Sequence, residues 1–288
     1  AVIRLRSLGD CVLSTPALAL LKQHRQDLCV GVAVEPAFRA IFDGNPNVDE
    51  ILPPTANAVR TFRPDVTLNL HGGTRSMFMT LASGAKIRAG FRHHRYSWVY
   101  HEAIPRAQEI LGVDRRVHTA EHLASAMFYL GVPQTEIPRA GLYAPKKASA
   151  KPYAVIHPKA SLPEKTWPGG RFLELAEMLR RQCDLDCVFI GGLADDLSEF
   201  TAFPISRTPL RETMSLLAGA SLFAGNDSGP AHMAAAFGIP SVVLFGASDP
   251  VAWAPWKATA ETLVAAEGMD SISVTQVVEA ASRLLVKV

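Results

Sequence analysis

A glycine-rich turn between two apolar runs is the stretch of this sequence best suited to binding an anion. The strand-like run Leu222-Phe223-Ala224 leads into Gly225-Asn226-Asp227-Ser228-Gly229-Pro230, and a short helical run follows. Ser228 is a good helix cap, and proline in a first helical turn costs little. A helix N-terminus beside the carboxyl ends of parallel strands attracts anions through its free N–H groups and its dipole. The spacing therefore predicts a phosphate-bearing ligand here, with an ordinary ligand-free β–α turn as the alternative.

An aspartate lies at the corresponding place near the start of the chain. Val2 to Leu5 is predicted to be a strand, Arg6 to Asp10 a turn, and Ser14-Thr15-Pro16 the opening of a helix that runs to about His24. The dinucleotide-binding pattern GxGxxG is absent. A carboxylate would repel a phosphate, but it can take a proton from a neighbouring hydroxyl. Asp10 is thus a candidate base, with helix capping as the alternative.

Two lysines flank a loop in the second half of the chain. Tyr153 to Ile156 is a predicted strand, and the residues from His157 to Ser161 follow its end. Lys159 and Lys165 bracket this loop at the carboxyl end of the strand, where cations can neutralise a bound phosphate.

Basic and aromatic side chains alternate between Arg88 and Arg106, and Glu102 is the one acidic residue among them. We interpret this segment as a loop that binds an anionic sugar or a phosphate, because guanidinium groups contact such anions in pairs of hydrogen bonds. A solvated basic loop is the alternative. The pair His93-His94 has no third ligand at a usual spacing, so no metal site is predicted there.

Strands and helices alternate through both halves of the sequence, which predicts an α/β fold with parallel sheets. The stretch from Ala144 to Pro152, APKKASAKP, has the composition of a linker. We therefore predict two Rossmann-like domains, 1–146 and 153–288.

The composition favours a globular protein that does not bind nucleic acid. The chain has 288 residues, of which 48% are hydrophobic, and its formal net charge is +2. The four cysteines form no CxxC pair. No leader is recognised, and the apolar stretch from Ser228 to Ser248 is broken by proline and glycine, as in a buried β–α unit. We expect a cytoplasmic protein.

Taken together, these stretches resemble glycosyltransferase family 9, the ADP-heptose lipopolysaccharide heptosyltransferases. Val2 to Leu18 resembles the opening strand and helix of the family, with its Leu-Gly-Asp and Thr-Pro-Ala-Leu segments. Gly90-Phe91 resembles the middle of its acceptor domain, and His157 to Pro168 is similar to a His-Pro-Gly-Ala-Ser…Lys-x-Trp-Pro motif. The most specific likeness lies in Gly225 to His232 together with Phe245 to Pro250.

The resemblance implies a GT-B enzyme, in which two Rossmann-like domains with parallel sheets face a central cleft and no metal or other cofactor is needed. Residues 1–146 would bind the acceptor and 153–288 the nucleotide-sugar donor, an ADP-sugar, while the last helix could pack back on the first domain. The implied acceptor is an anionic glycolipid, the inner core of lipopolysaccharide, whose phosphates and Kdo carboxylates suit the basic segment. Peripheral contact with the inner membrane through that segment is expected.

The resemblance also assigns residues to an inverting transfer. It implies that Asp10 is the base and that Lys165 stabilises the departing diphosphate. Donor contacts are implied for Lys159, Ser161, Asp227, Ser228, Gly229 and His232, and acceptor contacts are expected from Arg88, Arg92 and Arg95. Lys159 stands where the family motif usually has glycine, so its side chain either adds a phosphate contact or points to solvent.

Three other functions remain open at this point. The chain could transfer another sugar to a different glycan or to a protein. It could be a GT-B-like sugar-nucleotide epimerase, which converts its donor without an acceptor. It could also bind a nucleotide or glycan without catalysis, although binding alone does not require a carboxylate at Asp10.

Overall fold

The computed structural model describes residues 1–286, which divide into two compact units. The first is Ala1–Tyr143 and the second begins at Ala144. This division lies at the start of the predicted linker, and residues 131–152 contain no helix or strand. The predicted fold class, two parallel-sheet α/β domains, is confirmed.

The first unit alternates short strands with helices along the chain. Its strands are β1 Val2–Ile3, β2 Gly31–Ala33, β3 Glu50–Leu52, β4 Val66–Asn69, β5 Ile87–Phe91 and β6 Glu102–Ile104. Its helices are α1 Leu8–His24, α2 Ala56–Phe62, α3 Thr74–Ala82, α4 Ala107–Leu111 and α5 Thr119–Tyr129, and 3₁₀ turns lie at Pro36–Ile41 and Ser97–Val99.

The second unit repeats this organisation. Its strands are β7 Tyr153–His157, β8 Asp186–Ile190, β9 Ile205–Ser206, β10 Leu222–Asn226, β11 Ser241–Phe245 and β12 Ala260–Val264. Its helices are α6 Gly169–Cys183, α7 Leu210–Ala218, α8 Gly229–Phe237, α9 Pro250–Trp253 and α10 Val274–Leu285, and 3₁₀ turns lie at Pro163–Lys165, Ser198–Phe200 and Met269–Ser271.

Both sheets have the same strand order. Within the described residues the first is β3-β2-β1-β4-β5-β6 and the second, read in the same direction, is β9-β8-β7-β10-β11-β12, with every pair parallel. In each sheet, successive strands are added toward one edge up to the third strand, and toward the opposite edge from the fourth strand on. The switch point lies between the two central strands, which are β1 and β4 in the first sheet and β7 and β10 in the second. Ligands of such sheets bind outside the carboxyl ends of the strands at this switch point.

Helix α1 begins six residues before the predicted start at Ser14, so the prediction that Arg6 to Asp10 forms a turn is wrong for its last three residues. Asp10 instead lies in the first helical turn. Pro16 has no N–H group to donate to the carbonyl of Val12, but side-chain hydroxyl groups donate to the carbonyls in this turn, so the proline is tolerated inside the helix. Thr15 Oγ1 donates to Val12 O at 2.8 Å, and Ser14 Oγ donates to Cys11 O at 2.7 Å.

The segment from Arg88 to Arg106 is not the single loop that we predicted. It contains most of β5 and all of β6, which pair with each other. Only residues 92–101 connect the two strands, and the 3₁₀ turn Ser97–Val99 lies within that connection. The basic side chains are therefore divided between a strand and its connection.

The glycine-rich turn is shorter than predicted, because Gly225 and Asn226 end β10 and Gly229 begins α8. Helix α10 packs its apolar face into the core of the second unit, together with α6 and Trp167. Packing of the last helix on the first domain, which the resemblance implies, stays a prediction. Among the described helices, none is long and apolar enough to cross a membrane.

Candidate active site

The N-terminus of α8 lies at the switch point of the second sheet. Ser228 is its N-cap residue, and Gly229 is its first residue. The ring of His157, at the end of β7, lies with Nδ1 3.0 Å from Ser228 Oγ, and Ser228 Oγ donates to Asn226 O at 3.0 Å. Burial lowers the pKa of His157 to about 4, so its imidazole is neutral near pH 7. These contacts join the start of α8 to the ends of both central strands.

A lysine and an aspartate lie together beside this helix N-terminus. Lys165 Nζ is 4.0 Å from Asp227 Oδ2, and the two side chains are 25% and 10% exposed. Burial raises the pKa of Asp227, while the hydroxyl of Ser248 and the ammonium of Lys165 act in the opposite direction. A cation, a carboxylate and the N-terminus of α8 therefore meet at one edge of the sheet.

Asn226, for which the sequence predicted no role, holds the residues at the carboxyl edge of the second sheet in place. Its side chain is fully buried. Oδ1 accepts the N–H of Trp167 at 3.0 Å, and Nδ2 donates to Pro158 O at 3.0 Å. Trp167 is anchored in turn, since its Nε1 donates to Ile272 O at 3.0 Å. Asn226 thus fixes both ends of the loop that carries Lys159 and Lys165. Its signal in the sequence is an amide side chain at the end of an apolar strand.

Gly246 allows the same loop to approach the sheet. A Cβ atom at this position would lie 2.3 Å from the carbonyl oxygen of Glu164 and 2.8 Å from Met269 Sδ. Glu164 directly precedes Lys165, so the missing side chain of Gly246 contributes to the position of the lysine.

The other predicted donor residues occupy different environments. Lys159 Nζ lies 3.5 Å from Glu199 Oε1 and 5.7 Å from the centre of the Phe200 ring. Ser161 is exposed in the loop after β7. His232 is buried within α8, and its ring centre lies 6.2 Å from that of Trp253.

In the first unit, an ion pair holds Asp10 at the other switch point. Arg4 directly follows β1 and is buried. One of its amino groups pairs with Asp10 Oδ1, and the other donates to Leu70 O, just beyond β4. Asp10 Oδ2 accepts the Ser7 hydroxyl at 2.8 Å and the Ser7 N–H at 3.3 Å. Asp10 is therefore both a capping residue and a paired carboxylate, and a quarter of its side chain (25%) stays exposed.

The turn after β4 completes this edge. Asn69 ends the strand, fully buried, and its Oδ1 accepts the backbone N–H groups of His71 and Gly72, each at 3.0 Å. Burial lowers the pKa of His71, and the charges of Arg4 and Arg6 add to that effect, whereas Asp10 opposes it. The charge of Asp10 therefore acts on the imidazole of His71.

The three predicted acceptor arginines are not equivalent. Arg88 is the second residue of β5, toward the amino end of the strand, and its Nε donates to Val99 O at 2.9 Å. Arg92 follows the carboxyl end of β5 and pairs with Glu109 at 2.9 Å. Arg95 is exposed, and its guanidinium lies 5.4 Å from the centre of the Tyr96 ring. Arg92 and Arg95, but not Arg88, lie beyond the carboxyl edge of the sheet.

A surface depression of about 590 Å³ lies between the residues that follow β3 and the start of α3. Pro54, Arg75 and Phe78 are among its lining residues, and Phe78 is 60% exposed. No local sequence pattern predicts this depression, because its walls come from segments about twenty residues apart. Among residues 1–286, no group of three or more His, Cys, Asp or Glu side chains could hold a metal ion.

Comparisons with known proteins agree on one family. The family model "Glycosyltransferase family 9 (heptosyltransferase)" matches residues 55–280. Lipopolysaccharide heptosyltransferase 3 of Escherichia coli K12 is 24% identical over 283 residues, which cover 86% of this chain and 82% of the relative.

Two solved structures show the same fold along the whole chain. A family 9 glycosyl transferase from Veillonella parvula has a TM-score of 0.88 at 21% identity and covers 100% of this chain and 97% of its own. An ADP-heptose lipopolysaccharide heptosyltransferase II from E. coli has a TM-score of 0.83 at 21% identity, with coverages of 99% and 98%.

Proposed function

This chain belongs to glycosyltransferase family 9 and is a glycosyltransferase, and from that premise we propose that it transfers a heptose from ADP-heptose to the inner core of lipopolysaccharide with inversion at the anomeric carbon. The names of the E. coli relatives, with lipopolysaccharide as substrate and ADP-heptose as donor, support the proposal. The observation that carries it is the meeting of Lys165, Asp227 and the α8 N-terminus at one switch point.

On the donor side, the leaving group is a diphosphate that gains negative charge as the glycosidic bond breaks. In the proposed mechanism, the ammonium of Lys165 and the positive end of the α8 dipole stabilise that charge. Asp227 accepts hydrogen bonds from sugar hydroxyls, since its carboxylate would repel phosphate. Ser228, Gly229 and Ser161 contribute further polar contacts. Because this cationic set can serve the diphosphate, we propose that transfer needs no divalent metal.

On the acceptor side, Asp10 takes the proton of the attacking hydroxyl. Its contact with Ser7 Oγ at 2.8 Å illustrates how a hydroxyl donates to this carboxylate. Arg4 pairs with one carboxylate oxygen and so fixes the orientation of the carboxylate. The hydroxyl oxygen then bonds to the anomeric carbon as the bond to the diphosphate breaks on the opposite face, which inverts the configuration.

We propose that Arg92 and Arg95 contact anionic groups of the acceptor and that Arg88 is structural, because Arg88 bonds to Val99 O away from the carboxyl edge. Trp98, which is 73% exposed between these arginines and β6, suits contact with a lipid surface. We accordingly propose reversible attachment to anionic membranes, to be tested by sedimentation with phosphatidylglycerol vesicles. Binding that is unchanged in an Arg92→Glu, Arg95→Glu, Trp98→Ala variant would contradict it.

The donor is tested by calorimetric titration of the purified protein with ADP, UDP and GDP in the presence of a chelator. We expect a clear preference for ADP. A preference for UDP or GDP would contradict the proposal that ADP-heptose is the donor. Turnover of ADP-heptose with a Kdo-bearing lipid A acceptor is then followed by mass spectrometry, and the anomeric configuration of the product is read by NMR. Conversion of the donor without any acceptor would favour an epimerase instead.

The base is tested by Asp10→Asn. We expect transfer to fall by at least about a hundredfold, because a positioned general base contributes on that order, while ADP affinity stays unchanged. Asp65→Asn in the same unit is the matched control, since Asp65 is 82% exposed and pairs with Lys86. Circular dichroism must show that the variant is folded, because Arg4 loses its partner. Full turnover in folded Asp10→Asn would exclude Asp10 as the base.

A further inference from the structure

Four histidines gather at the carboxyl edge of the first sheet, and the proposed transfer does not use them. This histidine quartet consists of His71, His93, His94 and His122. His71 lies in the turn after β4, His93 and His94 follow β5, and His122 lies in the first half of α5. His71 and His122 are 51 positions apart in the sequence, so no local motif predicts the cluster.

Phe91 is the centre around which three of the rings pack. His122 stacks on it, with ring centres 4.0 Å apart and an interplanar angle of 23°. His93 and His94 lie 5.4 and 5.6 Å from the same ring, and 5.0 Å from each other. The ring of His94 also covers Gly72, where a Cβ atom would lie 2.6 Å from it. This contact extends the cluster to the turn that carries His71.

The quartet is held in the neutral form. Burial lowers the pKa values of His94 and His122 to about 4, and it also lowers those of His71 and His93. Every charged neighbour that shifts His93, His94 or His122 is cationic in its charged form. Beyond the quartet itself, these neighbours are Arg4 and Arg106.

Three carboxylates of the surrounding helices are engaged with arginines. Glu109 of α4 pairs with Arg92, Glu121 of α5 pairs with Arg115, and Asp10 of α1 pairs with Arg4. Asp10 acts on His71 alone among the four. Tyr100 contributes a neutral hydroxyl, 3.1 Å from His94 Nδ1. The quartet is thus a set of imidazoles near arginines, and these three carboxylates are already paired with arginines.

We propose that the quartet is a proton-linked subsite for a carboxylate or phosphate of the acceptor. An anion bound here supplies the counter-charge that the cluster lacks, and each imidazole that ionises takes one proton from solvent. The bound state is an imidazolium–anion pair, and the proton returns to solvent when the anion leaves. This inference rests on the proposed function, because it assumes an anionic acceptor.

The linkage predicts the direction of the pH dependence. If binding requires uptake of one proton, the affinity for the anion falls by up to about tenfold for each unit by which the pH rises above the range in which the free quartet titrates. Binding of a neutral sugar through hydroxyl groups has no such dependence.

Calorimetric titration in two buffers of unlike ionisation enthalpy tests the proposal, because the difference in apparent enthalpy measures the protons taken up. The probes are Kdo methyl glycoside for the carboxylate, inorganic phosphate for the phosphate, and methyl glucoside as the neutral reference. We expect uptake approaching about one proton at pH 6 with at least one of the anions, and whichever anion produces it identifies the group recognised. Binding of both anions without uptake, no binding of either, or equal uptake with methyl glucoside would overturn the proposal.

Histidine variants test which imidazoles take up the protons when the anion binds. His93→Gln at an exposed ring, and His94→Gln at a more buried one, should each reduce the uptake and weaken anion binding at pH 6. His24→Gln is the matched control, since His24 is an exposed residue in the last turn of α1. Uptake that persists unchanged in folded His93→Gln, His94→Gln double variants would place the protons elsewhere and overturn the assignment. Titration with ADP is run in parallel, so a failure of the donor proposal is seen separately from a failure of this one.

Discussion

Three charged side chains expected to act on a substrate are each paired with another charge of the chain. Asp10 pairs with Arg4, Lys165 lies near Asp227, and Lys159 lies near Glu199. The energies of these pairs differ with burial. Removing one member of a buried pair such as Arg4–Asp10 costs about 3–5 kcal/mol, whereas an exposed pair contributes about 0–1 kcal/mol. Lys159 can therefore leave Glu199 at little cost when a diphosphate binds, while Arg4 remains with Asp10.

We expect Glu199→Gln to raise the affinity for ADP about two- to fivefold, because Glu199 competes with the diphosphate for Lys159. An exposed ion pair of this kind contributes up to about 1 kcal/mol. Lys159→Met should lower the affinity, and the double variant should show no gain from Glu199→Gln. Calorimetric titration of ADP measures all three. Glu177→Gln, which breaks an exposed pair with Arg181 on α6, is the control. A gain from Glu199→Gln that survives without Lys159 would show that the lysine does not contact the diphosphate.

At the scale of the elements, equivalent strands end in equivalent residues. β4 ends in Asn69 and β10 in Asn226, both fully buried, and each amide fixes a loop at the carboxyl edge. Asn69 holds the turn that carries His71, and Asn226 holds the loop that carries Lys165. A buried amide that satisfies backbone groups orders the loop, since those groups would otherwise lie buried without partners. Both candidate sites thus depend on the positioning of loops by strand ends.

The fit between Gly246 and the lysine loop can be tested by Gly246→Ala. We expect ADP affinity to fall about tenfold or more and stability to fall by about 1–3 kcal/mol, because a backbone oxygen 2.3 Å away must move. Gly170→Ala is the control. Apart from its chain neighbours and the backbone of its own helix, no atom of residues 1–286 lies within 4 Å of a Cβ atom there, and the position is in the first turn of α6.

For Gly170→Ala we expect a gain in stability of about 0.5–1 kcal/mol, since alanine favours helix, and no change in ADP affinity. Urea denaturation and calorimetry measure both variants. Wild-type ADP affinity in Gly246→Ala would show that this contact does not position Lys165.

At the scale of the whole molecule, both units contain histidines that fold in the neutral form. His94 and His122 in the first unit and His157 in the second all have pKa values lowered by burial to about 4. Their unfolded value is about 6.5, so between about pH 4 and 6.5 the unfolded chain binds more protons than the folded one. Stability is therefore fully present above that range and is lost as the pH falls through it.

We expect the free energy of unfolding to be lower at pH 5 than at pH 7.5, by about 1 kcal/mol for each of these three histidines after allowance for partial exposure. Urea denaturation followed by far-ultraviolet circular dichroism at the two pH values measures the difference. His122→Phe preserves the stack on Phe91 and should reduce the loss, whereas the exposed control His24→Gln should not. Equal stability of the wild type at both pH values would mean that these imidazoles are not neutral in the folded state.

Much of the fold follows from patterns that are local in the sequence. Buried apolar runs such as Tyr153–His157 and Ser241–Phe245 alternate with helical spacing, and this alternation predicts parallel sheets in two halves. Ser228 before Gly229-Pro230 predicts where α8 begins. These features depend on neighbouring residues and on the spacing of apolar residues along the sequence, so they can be predicted without knowledge of the tertiary contacts.

The same local rules misplaced the start of α1. Ser14-Thr15-Pro16 has the form of a helix opening, yet the helix already begins at Leu8. The hydroxyl of Thr15 satisfies the carbonyl that Pro16 cannot, while Asp10 accepts the N–H of Ser7 at the true beginning. Such compensation depends on which rotamers the packed helix allows, and spacing alone does not reveal it.

The tertiary structure alone decided which side chains meet. Strand order brings β1 beside β4 and β7 beside β10, and neither pair is consecutive in sequence. From this order come the contacts of Arg4 with Leu70 and of Asn226 with Pro158, each more than sixty residues apart. The sequence determined which chemical groups are available and which strands are buried. Their partners were decided by sheet topology, because a hydrogen bond or an ion pair requires proximity in space, which separation along the chain does not specify.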